Sequence, residues 1–134
     1  MLLIHIAFNG EIIIPAPGSV SYEPQAEIGS NKVHWLETSR ANNWFPTGKE
    51  LEKKIKSIGK KKNLILILNS PNNPSGVTCN NLEELAKVAK KNKIMVLSDE
   101  IYTDLTFSNE YNSISKFYPE LTFNKSLLSK TRLC

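Results

Sequence analysis

The stretch LILILNSPNNPSG, residues 64–76, places five consecutive apolar residues directly before a polar sequence. A short, continuous apolar run bounded by polar residues is typical of a strand that is covered on both faces in a parallel sheet. The Asn, Pro, Ser and Gly residues that follow are the residue types that favour turns. We therefore predict a buried strand at residues 64–68, which delivers polar side chains to one edge of a sheet.

A helix and a second buried strand follow this turn. Apolar residues recur at helical spacing after Asn80 or Asn81, either of which can cap the helix, and lysines in the last turn suit the helix dipole. Residues 94–97 are again apolar. Strand, helix and strand within about 35 residues form a βαβ unit, whose right-handed crossover places both carboxyl ends at the same sheet edge. We therefore expect Asn73 and Asp99 to lie close together.

The first half of the chain adds two strands and a helix. Residues 11–14 form a β-branched run that ends at the PAPG sequence, and residues 33–36 form a second short run. Thr47 is a candidate cap for a helix at residues 49–58, where apolar residues again have helical spacing. Strands that alternate with helices predict an α/β fold.

Composition limits the classes of protein to consider. The chain has 134 residues, of which 40% are hydrophobic and 22% charged, as expected for one small globular domain. The net charge of +4 comes from dispersed lysines without interleaved aromatic residues, which favours solvated surfaces and no nucleic-acid partner. Cys79 and Cys134 have neither disulfide nor zinc spacing, so we predict no metal site and a cytoplasmic setting.

The apolar residues 1–8 are followed by Asn9 and Gly10, which come too early for a membrane-spanning helix. The run also lacks a basic leader and a small-residue cleavage site. We expect it to be a buried part of the core and predict no membrane association. His5 lies within this run, and we assign it no functional role.

Polar side chains with complementary chemistry follow the predicted strands. Asp99 can hold a positive charge on a ligand, such as a protonated ring nitrogen, because a nearby opposite charge raises the pKa of that nitrogen. Tyr102 and Asn73 could hydrogen-bond the same ligand. Lys130 supplies an amine, which is a nucleophile toward carbonyls when deprotonated. These are the parts that pyridoxal phosphate requires: a Schiff-base lysine and an acidic partner for the ring nitrogen.

Three segments resemble the large domain of fold-type I, pyridoxal-phosphate-dependent class I/II aminotransferases. They are IIIPAP with VSY (residues 12–17 and 20–22), LILNSPNNPSG (residues 66–76) and VLSDEIY (residues 96–102). The resemblance implies a three-layer αβα fold with a mostly parallel sheet. It also implies that residues 1–134 are a partial cofactor-binding large domain, without the small C-terminal domain.

The resemblance assigns roles to individual residues. It implies that Asn73 and Tyr102 hydrogen-bond the ring oxygen of pyridoxal phosphate and that Asp99 pairs with the ring nitrogen. SLLSK, residues 126–130, resembles the segment that carries the Schiff-base lysine, so Lys130 would also be the catalytic base. The implied reaction transfers an amino group between an amino acid and a 2-oxo acid, in an enzyme that is typically a homodimer.

Some positions differ from the pattern of that family. Ser19 stands where an aromatic residue usually stacks on the cofactor ring, and Leu127 where a small or hydroxyl residue usually approaches the phosphate. Arg132 is too close to Lys130 to be the phosphate-binding arginine of the family. We therefore expect weak cofactor binding and little or no turnover by this chain alone. Residues 121–125 also depart from the pattern of that family.

Two other classes of protein are compatible with parts of the sequence. The strand that ends in Asp99 resembles the magnesium-binding strand of P-loop nucleotide hydrolases, but TGKE at residues 47–50 lacks the upstream glycine and the hydroxyl after the lysine. A non-catalytic βαβ binding or interaction module derived from an aminotransferase stays open. The fold alone does not separate this module from an enzyme, since one fold serves many functions.

Overall fold

The structure is a computed structural model that describes residues 7–59, 63–103 and 112–126. In chain order it contains β1 (Glu11–Ala16), α1 (Tyr22–Ile28), β2 (Lys32–Glu37), α2 (Gly48–Ile58), β3 (Leu64–Asn69), α3 (Leu82–Asn92), β4 (Met95–Glu100) and β5 (Thr122–Ser126). Short 3-10 turns lie at Arg40–Asn42 and Ile114–Lys116. The predictions for His5, Leu127, Lys130, Arg132 and Cys134 fall outside the described residues. No helix within the described ranges is long and apolar enough to span a membrane.

The five strands form one sheet in the order β2-β1-β3-β4-β5, and every neighbouring pair is parallel. β3 lies at the centre, as its continuous apolar sequence predicts, and all six of its residues are buried. The crossover from β3 through α3 to β4 is the predicted βαβ unit, and it brings Asn69 into register with Asp99. The predicted α/β fold with a mostly parallel sheet is confirmed.

Two apolar clusters lie on opposite faces of the sheet, because successive strand residues point to opposite sides. Ile13 and Leu66 face the cluster that α2 and α3 cover, together with Phe45 and other buried residues. Ile12, Ile65 and Leu97 face the second cluster, which includes residues of α1. Helices therefore cover both faces, and the three-layer αβα arrangement is confirmed.

The predicted cap of α2 is confirmed in atomic detail. The Thr47 hydroxyl oxygen accepts a hydrogen bond from the Glu50 backbone N–H at 3.3 Å, and the Glu50 carboxylate accepts one from the Thr47 N–H at 2.8 Å. This reciprocal pair is a capping box. Asn81 is the N-cap residue of α3, but its amide donates to the Pro46 carbonyl oxygen at 2.9 Å and makes no cap hydrogen bond.

Several element boundaries differ from the predictions. β1 continues through Pro15 to Ala16, since Pro15 stays in register with Leu36 of β2. β4 continues to Glu100, so Asp99 lies within the strand and not directly after it. Polar residues can end an apolar pattern without ending a strand when the ladder on both sides continues, as it does beside Asp99.

Two elements were not predicted. α1 has seven residues, of which only Tyr22 and Ala26 are buried, so its apolar pattern is too short to indicate a helix. β5 has the sequence TFNKS and pairs with β4 alone among the described strands. The large apolar residue of β5, Phe123, is 49% exposed. The strand is therefore held by its backbone ladder and by polar side-chain contacts of Asn124 and Lys125, and not by an apolar face. This explains why its sequence lacks the usual strand signal.

Candidate active site at the carboxyl edge of the sheet

Asp99 is a buried carboxylate in β4, with only 2% of its surface exposed. Its Oδ2 atom accepts a hydrogen bond from the Tyr22 hydroxyl at 3.0 Å and another from the Lys125 ammonium at 3.3 Å. Its Oδ1 atom is also buried but has no hydrogen-bond partner within the described part of the chain. Buried polar atoms in proteins are nearly always paired, so Oδ1 is suited to accept a hydrogen bond from a ligand.

The fold explains why these three side chains meet. Asp99 is two residues after Leu97 and so points to the same face of the sheet, which is the face that α1 covers. Tyr22 is the first residue of α1 and is itself buried. Lys125 is the residue of β5 that lies in register with Asp99. Residues from three separate segments of the chain therefore converge on one carboxylate.

Tyr22 is held as a neutral hydrogen-bond donor. Burial, the negative charge of Asp99 and the hydrogen bond to Asp99 all raise the pKa of Tyr22 above its ordinary value. The phenol therefore keeps its proton at neutral pH and can donate it to the carboxylate. Tyr22 lies in a segment that resembles the family pattern, but no local feature of the sequence indicates its contact with Asp99, which is 77 residues away.

We expect Tyr22→Phe to cost about 1.5–3 kcal/mol in the free energy of unfolding near neutral pH, because a hydrogen bond to a buried charge is lost. The unfolded tyrosine ionises near pH 10, whereas the folded side chain keeps its proton. The stability that Tyr22 contributes is thus fully present below pH ~10 and is lost as the pH rises above that value. The difference in the free energy of unfolding between the original chain and Tyr22→Phe should therefore become smaller above pH ~10.

Urea unfolding followed by circular dichroism at about pH 8 and about pH 11 measures both effects. Tyr102→Phe is the matched control, since its hydroxyl makes an exposed contact and its loss should cost about 1 kcal/mol or less near pH 8. If the difference in the free energy of unfolding between the original chain and Tyr22→Phe is the same at both pH values, Tyr22 is not held as a protonated donor in the folded protein.

A chain of hydrogen bonds through asparagine side chains connects Asp99 to the loop after β3. The Asn69 amide donates to the Asp99 backbone carbonyl oxygen at 3.0 Å, and the Asn69 side-chain oxygen accepts from the Asn73 N–H at 2.7 Å. The Asn73 amide in turn donates to the Tyr102 hydroxyl oxygen at 3.2 Å. Because the Tyr102 oxygen accepts this bond, its own proton can be donated to another group.

The rest of the loop is fixed by contacts on both sides. The Asn72 amide donates to the Pro17 carbonyl oxygen at 3.2 Å, which ties the loop to the end of β1. On the other side, the Ser70 N–H donates to the Asp99 carbonyl oxygen at 3.2 Å, and the Ser70 hydroxyl accepts from the Cys79 N–H at 3.0 Å. Burial raises the pKa of the Cys79 thiol to about 12, so Cys79 is not an activated nucleophile.

Glu100, the neighbour of Asp99, is also buried but has a different environment. Its Oε1 atom accepts hydrogen bonds from the Ser98 hydroxyl at 2.8 Å and from the Ser113 hydroxyl. The Asn124 amide also donates to the Ser113 hydroxyl oxygen, at 3.2 Å. These bonds connect β4 to β5 and to the turn that precedes β5. We assign Glu100 a structural role, which was not predicted from the sequence.

Three of the four predicted site residues lie within the described residues. Asp99, Asn73 and Tyr102 all lie at or just beyond the carboxyl ends of β3 and β4, as the βαβ unit predicts. Lys130 lies outside the described residues. Ser19 follows β1, where its hydroxyl is 3.0 Å from the Ser21 hydroxyl. Within the described ranges, no group of His, Cys, Asp or Glu residues could hold a metal ion.

The chain is an α/β protein with an open parallel sheet, and ligands of such sheets bind at the carboxyl edge, where Asp99, Asn73 and Tyr102 lie. Comparison with known proteins gives the family. The family described as Aminotransferase class I and II matches residues 1–129, and the chain belongs to this family. Enzymes of this family generally use pyridoxal phosphate.

Individual relatives agree with this assignment. The aspartate aminotransferase of Thermotoga maritima is 38% identical over 106 residues, which are 78% of this chain and 27% of that protein. The aspartate aminotransferase of Pyrococcus horikoshii is 35% identical over 126 residues, or 90% of this chain and 31% of that protein. The structure of Thermus thermophilus aspartate aminotransferase with maleate superimposes with a TM-score of 0.81 and 30% identity, covering 93% of this chain and 32% of that chain. The chain thus spans less than a third of the length of these relatives.

Proposed function

We propose that this chain forms the part of a pyridoxal-phosphate-dependent aminotransferase that holds the cofactor ring. In this proposal the whole enzyme transfers an amino group between an amino acid and a 2-oxo acid. The observation that carries the proposal is the buried Asp99 carboxylate, whose Oδ1 atom has no hydrogen-bond partner in the described part of the chain. A desolvated carboxylate raises the pKa of a nitrogen base beside it, and a protonated ring nitrogen is the form that this cofactor needs.

The described residues fit such a ring in two further respects. The Asn73 amide and the Tyr102 hydroxyl are hydrogen-bonded to each other at an exposed position, so a ring oxygen can join the pair without the burial of an unpaired group. The Asn69 side chain fixes both the Asp99 backbone and the Asn73 backbone. Asn69 therefore links the segment proposed to hold the ring nitrogen to Asn73, which is proposed to hold the ring oxygen.

When bound, pyridoxal phosphate supplies an electron-withdrawing ring that stabilises negative charge on the α-carbon of the substrate. The residues of this chain have separate tasks. Asp99 would keep the ring nitrogen protonated, and Tyr22 would hold the carboxylate in place through its hydrogen bond. Lys130, by the family resemblance, would bind the cofactor covalently and move the proton at the α-carbon of the substrate.

The proposal includes the setting of the protein. Residues 1–134 would be part of the cofactor-binding large domain. The matched residues make up about 90% of this chain but only about 30% of each relative. A homodimer is the assembly that the family resemblance supports. The presence of only two cysteines supports a cytoplasmic location.

Borohydride trapping tests the proposal. The purified chain is mixed with pyridoxal phosphate, its absorbance spectrum is recorded, and the lysine-linked cofactor is reduced and located by peptide mapping. We expect the label on Lys130, and we expect turnover of amino acids to be weak or undetectable. Lys130→Arg is the matched control, because it keeps the charge but cannot form the trapped linkage, and it should lose the label.

The opposite outcome has a defined meaning. No label, or a label scattered over surface lysines that persists in Lys130→Arg, would contradict the proposal. It would favour the non-catalytic interaction module, in which the αβα scaffold is kept and the chemistry is lost.

A further inference from the structure

Lys125 is the feature of this site that neither the family pattern nor the sequence analysis assigns. It lies in β5 directly beside Asp99 in the strand register, and its ammonium nitrogen is 3.3 Å from Asp99 Oδ2. The Lys125 side chain is 28% exposed, whereas that of Asp99 is 3% exposed. The carboxylate is therefore buried beneath a lysine that still reaches solvent.

In this arrangement the positive charge of Lys125 lies beside the carboxylate that, in the proposed function, pairs with the protonated ring nitrogen of the ligand. A carboxylate stabilises a protonated ring nitrogen because the two charges are opposite and close. An ammonium group that is already in contact with the carboxylate offsets part of its negative charge. The carboxylate then attracts a second cation less strongly.

We propose that Lys125 is an internal cation that competes with the protonated ring nitrogen for Asp99, and that it weakens the binding of pyridoxal phosphate by this chain. The inference rests on the proposed function, since it concerns the same carboxylate. The competition is partial because Oδ1 has no partner within the described residues and because the lysine stem is long enough to move its ammonium toward solvent.

The position of Lys125 also argues against a role as the amine that binds the cofactor. The aldehyde carbon and the nitrogen of pyridoxal phosphate lie on opposite sides of one aromatic ring. An amine in contact with Asp99 is on the nitrogen side, whereas the covalent linkage needs an amine on the aldehyde side. Lys125 and Lys130 therefore have different proposed roles, which trapping and binding measurements separate.

The test measures binding of pyridoxamine 5′-phosphate, which has the same ring and phosphate but no aldehyde, so that lysine linkage does not contribute. Lys125→Met removes the charge and keeps most of the apolar stem. We expect it to bind about tenfold more tightly than the original chain, since one charged hydrogen bond to Asp99 no longer competes. The rise in melting temperature at saturating ligand should also be larger for Lys125→Met.

Two matched variants complete the design. Lys125→Arg keeps the cation and should bind close to the original affinity. Lys87→Met removes a lysine from the exposed ion pair with Glu83 on α3 and should also leave the affinity unchanged. Circular dichroism of each unliganded protein shows that the variants are folded.

Each other result has a distinct meaning. Equal affinity of the original chain and Lys125→Met would overturn the role of Lys125 and leave the proposed function standing. A tenfold gain in Lys125→Arg as well would show that the charge is not responsible, which also overturns the inference. Binding by none of the proteins would contradict both the inference and the proposed cofactor site.

Discussion

Asp99→Asn is expected to weaken the binding of pyridoxamine 5′-phosphate by about 10- to 100-fold when it is made in the Lys125→Met background, since a hydrogen bond to a charged group contributes about 1.5–3 kcal/mol. Asparagine has nearly the same shape as aspartate and can still accept the hydrogen bond of Tyr22. It cannot keep a ring nitrogen protonated, because it has no charge. Asp99→Asn therefore tests the contribution of the carboxylate's charge to binding, because the shape of the side chain is almost unchanged.

The same substitution in the otherwise unchanged chain should have a smaller effect. There Lys125 already offsets part of the charge that Asp99→Asn removes. The four proteins form a double-mutant cycle, whose coupling energy measures the competition directly. Equal losses in the two backgrounds would indicate that Lys125 and the ligand do not share Asp99. No loss in either background would contradict the role of Asp99.

Leu66→Ala is expected to lower the free energy of unfolding by about 2–5 kcal/mol, as is typical when a fully buried leucine is truncated. Leu66 has no exposed surface and lies in β3, between β1 and β4. Its side chain packs into the cluster that α2 and α3 cover. A small domain has few kcal/mol of stability in total, so this change alone can unfold much of the protein.

Urea unfolding by circular dichroism measures the loss, with Val20→Ala as the control. Val20 is also a branched aliphatic residue but is 91% exposed, so its truncation should change the stability by about 0.5 kcal/mol or less. A loss below about 1 kcal/mol for Leu66→Ala would mean that the cluster around β3 is not tightly packed.

The central part of the fold could be predicted because its pattern is continuous. β3 and β4 are apolar runs with turn residues or a helix between them, and the handedness of the βαβ unit fixes the sheet edge at which they end. α2 could be predicted from helical spacing and from Thr47 at its cap. α1 and β5 could not, because each is short and buries little apolar surface, so its position depends on contacts with distant segments.

The same distinction applies to the site. Asp99, Asn73 and Tyr102 could be proposed as site residues because polar residues that follow apolar runs are visible in the sequence. Tyr22 and Lys125 were not identified, although both contact Asp99. Tyr22 depends on how α1 packs against the sheet, and Lys125 depends on the register of an edge strand without an apolar pattern. Nothing local in the sequence marks either contact.

The distance along the chain between Tyr22 and Asp99 has a consequence for how a ligand and the protein influence each other. The two residues are 77 positions apart, and they meet only when β1, β3 and β4 have assembled side by side. A partly folded chain, in which these strands are not yet paired, therefore does not form this carboxylate site even in a weaker form. Ligand binding and cooperative folding are thermodynamically linked, so any molecule that binds at Asp99 acts on the stability of the whole sheet.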